Sequence, residues 1–177
     1  MKKITTLDYA ILGILIQSAK SGYSIRKQFE TTALGNYSSS QGTIYPALRR
    51  LEKNFLIEKR RDIIDDKSKF FLTLAGKTKL TEWLLEPLNK EDVEKRISLV
   101  LLKFAFMESL VHRKDVISFL ESFRNHLIAV ISDLRNYINA SKDFQPLHGK
   151  LALNHGLTSY KSSLKWCKTT LTELSKI

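Results

Sequence analysis

At 177 residues the chain can hold one domain of ordinary size or two small ones that share an interface. Lysine and arginine number 29 against 18 acidic residues, a formal net charge of +11, so an anionic partner is the first expectation, either nucleic acid or a membrane surface. A single cysteine, Cys167, excludes an intrachain disulfide and a zinc-finger cluster, and no run of about 18 uncharged apolar residues exists to span a bilayer.

The opening MKKITTLDYAILGILIQSAK sets two lysines before an apolar run, as a signal peptide does. Asp8 and Tyr9 interrupt that run, and Leu7, Ile11, Ile14 and Leu15 fall on one face of a helix of roughly Thr6 to Ser18, so a cytoplasmic protein is expected. Lys20-Ser21-Gly22 breaks the pattern before a second helical run through Ile25, Phe29 and Ala33, which Gly35-Asn36 stops. A third helix carries Ile44, Leu48, Leu51 and Phe55 at spacings of 4, 3 and 4, one buried stripe, with Ser40 as its N-cap. Pro46 has no N–H to give, so regular helix either starts near Gly42 or Thr43 or opens with a distorted turn.

From Ile57 to Ile64 and from Lys69 to Leu74 the chain is richer in β-branched and aromatic residues, and Asp65-Asp66-Lys67-Ser68 between them is turn chemistry, so a hairpin is predicted. Thr73 caps a fourth helix in which Leu80, Trp83, Leu84 and Leu88 share a face, ended by Pro87. Beyond Asn89 everything reads as helix. Val93, Ile97, Val100, Leu101 and Phe104 form the stripe of a fifth, with Leu99, Leu102 and Phe106 making its other side apolar, which predicts burial on both sides. Val116, Leu120, Phe123, Leu127, Val130, Leu134 and Tyr137 then alternate spacings of 4 and 3. Leu153, Leu157, Tyr160, Leu164, Cys167, Leu171 and Leu174 repeat them, the seam of a coiled-coil-like pair.

Three helices and a two-stranded hairpin in this order are the elements of a winged helix-turn-helix, whose third helix enters the major groove while the wing lies beside it. The fold class expected is therefore mainly α with a two-stranded β wing: a winged domain over residues 1–88 and a helical, coiled-coil-like dimerisation domain over residues 89–177. With Ile44, Leu48 and Leu51 inward, 100° per residue places Arg49 and Lys53 nearly opposite, Tyr45 and Arg50 to either side, and Thr43 near the N-terminal end beside Ser40 and Gln41. Arginine there can grip guanine bidentately, and Gly42 lets a phosphate approach the positive end of the helix. Wing bases Lys59, Arg60, Arg61, Lys67 and Lys69 suit phosphates or a narrow minor groove, although Glu58, Asp62, Asp65 and Asp66 partly offset them.

The stretches QGTIYPALRRLEKNFLIEKR and KFFLTLAGK resemble the signature of the PadR family of transcriptional regulators, and LDYAILGIL and SGYSIRKQFE are similar to its first two helices. The resemblance covers about residues 5–80, with LVLLKFAFMESL and the Trp166 region similar to members that have a long helical C-terminal domain. Asn54-Phe55 stands where the family has a glycine before Leu-Ile, with Asn54 the residue that tolerates a left-handed helix end, and Phe71 replaces the wing tyrosine. The resemblance implies a homodimer bound to a palindromic operator on double-stranded DNA, generally as a repressor, with phenolic or drug-like effectors in some members. It also adds Tyr23 and Lys27 of the second helix to the phosphate contacts.

An effector pocket could draw on Trp83, Phe104, Tyr160 and Trp166, though aromatics at helical spacing are more often core. Dimerisation is expected through Val116, Leu120, Phe123, Leu127, Leu157, Leu164 and Leu171, seams too long for one short helical domain to hide by itself. Catalysis is not expected: phosphate loop, HExxH and nucleophile elbow are missing, the four histidines are scattered, and no cofactor or metal is implied. The competing reading is a helical adaptor whose C-terminal seams bind another regulator.

Overall fold

The computed structural model describes residues 3–32, 34, 41–61, 67–141 and 144–176. The chain folds as two compact units, Met1–Leu84 and Leu85–Ile177. Among the described residues no helix is long and apolar enough to cross a membrane.

In the first unit, α1 (Thr6–Gln17) opens on a capping box: the Thr5 N–H donates to Asp8 Oδ2 at 2.8 Å, and the Asp8 N–H donates to the Thr5 hydroxyl at 3.4 Å. Every residue from Asp8 to Leu15 is buried, so the one-faced helix expected from the sequence is instead enclosed all round. The two residues that looked like interruptions each have a partner. Asp8 is met by the Arg50 guanidinium, with Nη2 to Oδ1 at 2.7 Å and Nε to Oδ2 at 3.0 Å. Tyr9 stacks on Trp83, ring centroids 4.4 Å apart and 3° from parallel.

Helix α2 (Gly22–Thr31) is capped by the Ser21 hydroxyl, which accepts the Ser24 N–H at 3.1 Å, and it buries Ile25 and Phe29. Ala33, Gly35-Asn36 and the expected cap Ser40 lie outside the described residues. Helix α3 (Gln41–Lys53) carries Pro46 inside it and buries Ile44, Ala47, Leu48 and Leu51. The carbonyl of Gly42 therefore lacks its helical donor, and Gly42 is exposed, where water can take that place.

Phe55 does not continue the α3 stripe. The helix ends in a Schellman motif in which the Leu56 N–H donates to the Leu51 carbonyl at 3.0 Å and the Phe55 N–H to the Glu52 carbonyl at 2.9 Å. The left-handed position falls on Phe55 at φ 58°, not on Asn54. Phe55 is 80% exposed as a result, and Leu56 points into the core in its place.

Strands β1 (Ile57–Arg61) and β2 (Ser68–Leu72) pair antiparallel, from Ile57 opposite Leu72 to Arg61 opposite Ser68. Asp62, Asp65 and Asp66 lie outside the described residues. An isolated antiparallel bridge that the sequence did not disclose joins β2 from its other side: Phe70 and Lys20 exchange backbone hydrogen bonds at 2.8 and 3.2 Å. Thr73 then caps α4 (Leu74–Leu85), accepting the Gly76 N–H at 3.0 Å while donating to the Phe55 carbonyl at 2.8 Å. A Cβ at Gly76 would stand 2.0 Å from the Leu56 carbonyl oxygen, so α4 can lie this close only with glycine there.

In the second unit the single fifth helix expected from the sequence is two. Helix α5 (Lys90–Lys95) starts on an Asn89–Asp92 capping box and stops at Arg96, whose φ of −137° and ψ of 38° interrupt the helix before α6 (Ile97–Met107). The break resets the phase of the stripe, leaving Leu101 exposed and burying Lys103 beside Val100, Leu102 and Met107. Helices α7 (Arg113–Ser141) and α8 (Leu147–Lys176) run antiparallel, the Cys167 thiol donating to the Leu120 carbonyl at 3.3 Å. Cross-ties hold this unit together: His126 to the Leu88 carbonyl at 3.2 Å, and the Tyr160 hydroxyl donating to the Glu94 carbonyl at 2.8 Å.

Candidate nucleic-acid interface

Once α3 has buried Ile44, Ala47, Leu48 and Leu51, its outer side is fixed: Gly42, Thr43, Tyr45, Arg49 and Lys53 are exposed. Arg50, expected among them, is turned the other way. Its bidentate pair with the fully buried Asp8 ties α3 to α1, so its guanidinium acts as an anchor for the helix. Arg49 and Arg50 are neighbours in sequence, yet the helical turn sends one to solvent and one to the core.

The Tyr45 ring lies along the start of α2, where a Cβ on Gly22 would sit 2.9 Å from its Cε1. Gly22 thus leaves room for the ring beside α2 while Tyr45 keeps an exposed side. Nearby on α2, Tyr23 and Lys27 are exposed, and the Arg26 guanidinium lies 5.5 Å from the Tyr23 ring centre while pairing with Glu30 at 2.9 Å. Arg26 was not singled out from the sequence; its place three residues after Tyr23, on the same helical face, was the available signal.

On the wing Lys59, Arg60, Arg61 and Lys67 are exposed and Lys69 half-exposed. Arg60 stands 4.3 Å from the Phe71 ring centre and pairs with Glu58 at 2.7 Å. Phe71, replacing a tyrosine, thus gives this arginine an apolar face to lie on. Gln41 is helical, but its side chain and all of Ser40 fall outside what is described.

The other expected site residues divide between the units. Trp83 belongs to the first and is taken up by Tyr9. In the second, Phe104 and Trp166 meet edge to face at 5.4 Å, with Phe123 at 6.4 Å from Trp166. Burial raises the Tyr160 hydroxyl above its usual pKa, Glu94 adding to the effect. Val116, Leu120, Phe123 and Leu127 are buried within the chain itself, on the α7 side of the hairpin, whereas Leu157, Leu164 and Leu171 of α8 are only half-covered.

Residues 11–82 match the model of the transcriptional regulator PadR-like family. The negative transcriptional regulator PadR of Bacillus subtilis is 25% identical over 181 residues, covering 96% of this chain and 98% of its own length. The transcriptional regulator YqjI of Escherichia coli is 38% identical over 88 residues, which span 50% of this chain and 39% of that protein. A crystal structure of Bacillus subtilis PadR in complex with operator DNA aligns over 96% of this chain and 99% of its own, with 27% identity and a TM-score of 0.42. Residues 11–82, the segment that builds α3 and the wing, are thus similar to the PadR-like family of transcriptional regulators.

Proposed function

We propose that the protein is a cytoplasmic homodimeric repressor that binds a palindromic operator, with residues 1–88 on the DNA and residues 89–177 holding two copies together. The observation that carries this reading is the outer face of α3: Thr43, Tyr45, Arg49 and Lys53 are exposed while Arg50 and the apolar stripe pin the helix from behind. Arg49 and Thr43 read base edges, Tyr45 packs at the groove wall, and Lys53, Lys27, Tyr23 and the wing bases hold phosphate. Repression takes its support from the Bacillus relative, a negative regulator similar over nearly the full length of both chains. A small aromatic effector would find its stacking surface at Phe104 and Trp166 and would act by changing how the helices of the second unit pack.

Genome-wide footprinting names the operator, and binding to it tests the assignments. Arg49→Ala is expected to cost about 1–3 kcal/mol on the cognate site and to change sequence preference, whereas Lys53→Ala weakens all sequences alike. Removing Lys67 and Lys69 together lowers the slope of log affinity against log salt by about two. Normal binding by both α3 variants would place the groove contact elsewhere, and absence of any salt-sensitive DNA binding would favour the adaptor.

A further inference from the structure

Residues 86–94 follow directly on α4 and stand at the start of the second unit. Helices α6, α7 and α8 each send one side chain to a backbone carbonyl of this segment. From α6 the buried Lys103 ammonium donates to the Glu86 carbonyl at 3.4 Å, from α7 His126 Nε2 donates to the Leu88 carbonyl at 3.2 Å, and from α8 the Tyr160 hydroxyl donates to the Glu94 carbonyl at 2.8 Å. The partners lie 17, 38 and 66 residues apart in sequence, so none of the three is a local cap. Glu86 and Leu88 fall between α4 and α5, and Glu94 falls in the last turn of α5, so these are carbonyls that helix ends leave to other donors. The tie from Lys103 is made against a cost, because a methionine would fill the same space without burying a charge. What the ammonium adds is its hold on Glu86.

We propose that Lys103, His126 and Tyr160 are positioning residues for DNA binding: together they fix the path of residues 86–94, and through it the half-site spacing at which two winged units bind one operator. The proposal rests on the dimeric DNA-binding reading above. Three ties from three helices fix the direction of a segment as well as its place, whereas one would leave it free to pivot. All three grip main chain, so the path is held whatever side chains the segment carries. A stiff connection concentrates the second winged unit at a single spacing, and a slack one spreads it over several spacings at lower effective concentration. Loss of the ties therefore weakens binding at the cognate spacing and softens the penalty at neighbouring ones.

The test compares affinities for the footprinted operator, for operators with one base pair added or removed between the half-sites, and for an isolated half-site. One base pair shifts a half-site by about 3.4 Å and turns it by roughly 35°, so the wild type is expected to lose at least about tenfold on either altered operator. Lys103→Met, His126→Leu and Tyr160→Phe together should bind the cognate operator about tenfold more weakly, the altered ones within about threefold of that, and the isolated half-site unchanged. His126→Gln, whose amide still donates to a carbonyl, should keep the wild-type profile where His126→Leu does not. Tyr160→Phe removes a single oxygen and should shift the profile the same way by less, which keeps the proposal testable if the triple variant fails to fold. Sedimentation and circular dichroism confirm that each variant compared is a folded dimer. A dimeric wild type whose folded variants keep its spacing preference, with or without a uniform loss of affinity, overturns the positioning role alone. A monomeric wild type that binds one half-site overturns the dimeric reading and the positioning role together.

Discussion

Helix α1 and helix α8 stand at opposite extremes of the same chain. Eight consecutive residues of α1 are buried, including an aspartate, whereas in the 30-residue α8 only Cys167 is. Both were read from the sequence as helices with one apolar face. The first unit has closed around its helix and satisfied even a carboxylate within it; α8 has packed one side on α7 and left its remaining apolar residues half-covered or, as at Leu147, Leu151 and Trp166, exposed. Apolar spacing therefore states that a face will be buried without stating whether the same chain supplies the cover.

The sharpest way to break the first half of this contrast is Asp8→Ala. It leaves the Arg50 guanidinium without its partner and removes the α1 capping box, so a loss of about 3 kcal/mol in denaturant unfolding of the first unit is expected. A loss below 1 kcal/mol would mean Arg50 finds water easily and does not anchor α3. Dilution probes the second half. If α8 is covered by another copy, tenfold dilution should take about 1.4 kcal/mol from the unfolding transition of the second unit and nothing from that of the first.

A smaller effect is expected at Lys103, whose ammonium is buried in α6 with the Glu86 carbonyl at 3.4 Å and the Glu86 carboxylate at 3.8 Å. Burial lowers its pKa, with Glu86 opposing that shift. Below the lowered value both folded and unfolded chains hold the proton and the cost of burying the charge is full. As pH rises from there toward the unfolded value near 10.4, the folded chain sheds its proton first and gains stability. Lys103→Met should therefore stabilise the second unit by about 1 kcal/mol at pH 7, a margin that narrows in alkaline melts; an unchanged margin would show that the charge is well solvated. The smallest expected change is at Phe55, where left-handed backbone is strained and the ring is out in solvent. Phe55→Gly should gain roughly 0.5 kcal/mol, the relief of strain less the added entropy of an unfolded glycine, and a loss of stability would reveal a contact for that ring.

What could be read in advance was local. The α3 stripe from Ile44 to Leu51, the Thr73 cap and the hairpin all follow from spacing and turn chemistry within a few residues. What could not be read depends on residues far apart in sequence. Arg50 looked like its neighbour Arg49 because nothing nearby marks Asp8 as its partner. The break at Arg96 was hidden because the apolar stripe runs across it, and the left-handed position moved from Asn54 to Phe55 because the Schellman bonds fix which residue follows the helix. The isolated bridge from Lys20 to β2 was invisible because it uses only backbone groups.

Cys167 gives the hairpin a built-in clock. It is the sole thiol in 177 residues, fully buried between α8 and α7 over the Leu120 carbonyl, and burial holds it above its usual pKa. A thiol reagent can reach it only while the two helices are apart, so the labelling rate of the unmodified protein reports how often that seam opens. Any ligand or DNA that tightens the hairpin would slow the reaction without touching the sulfur.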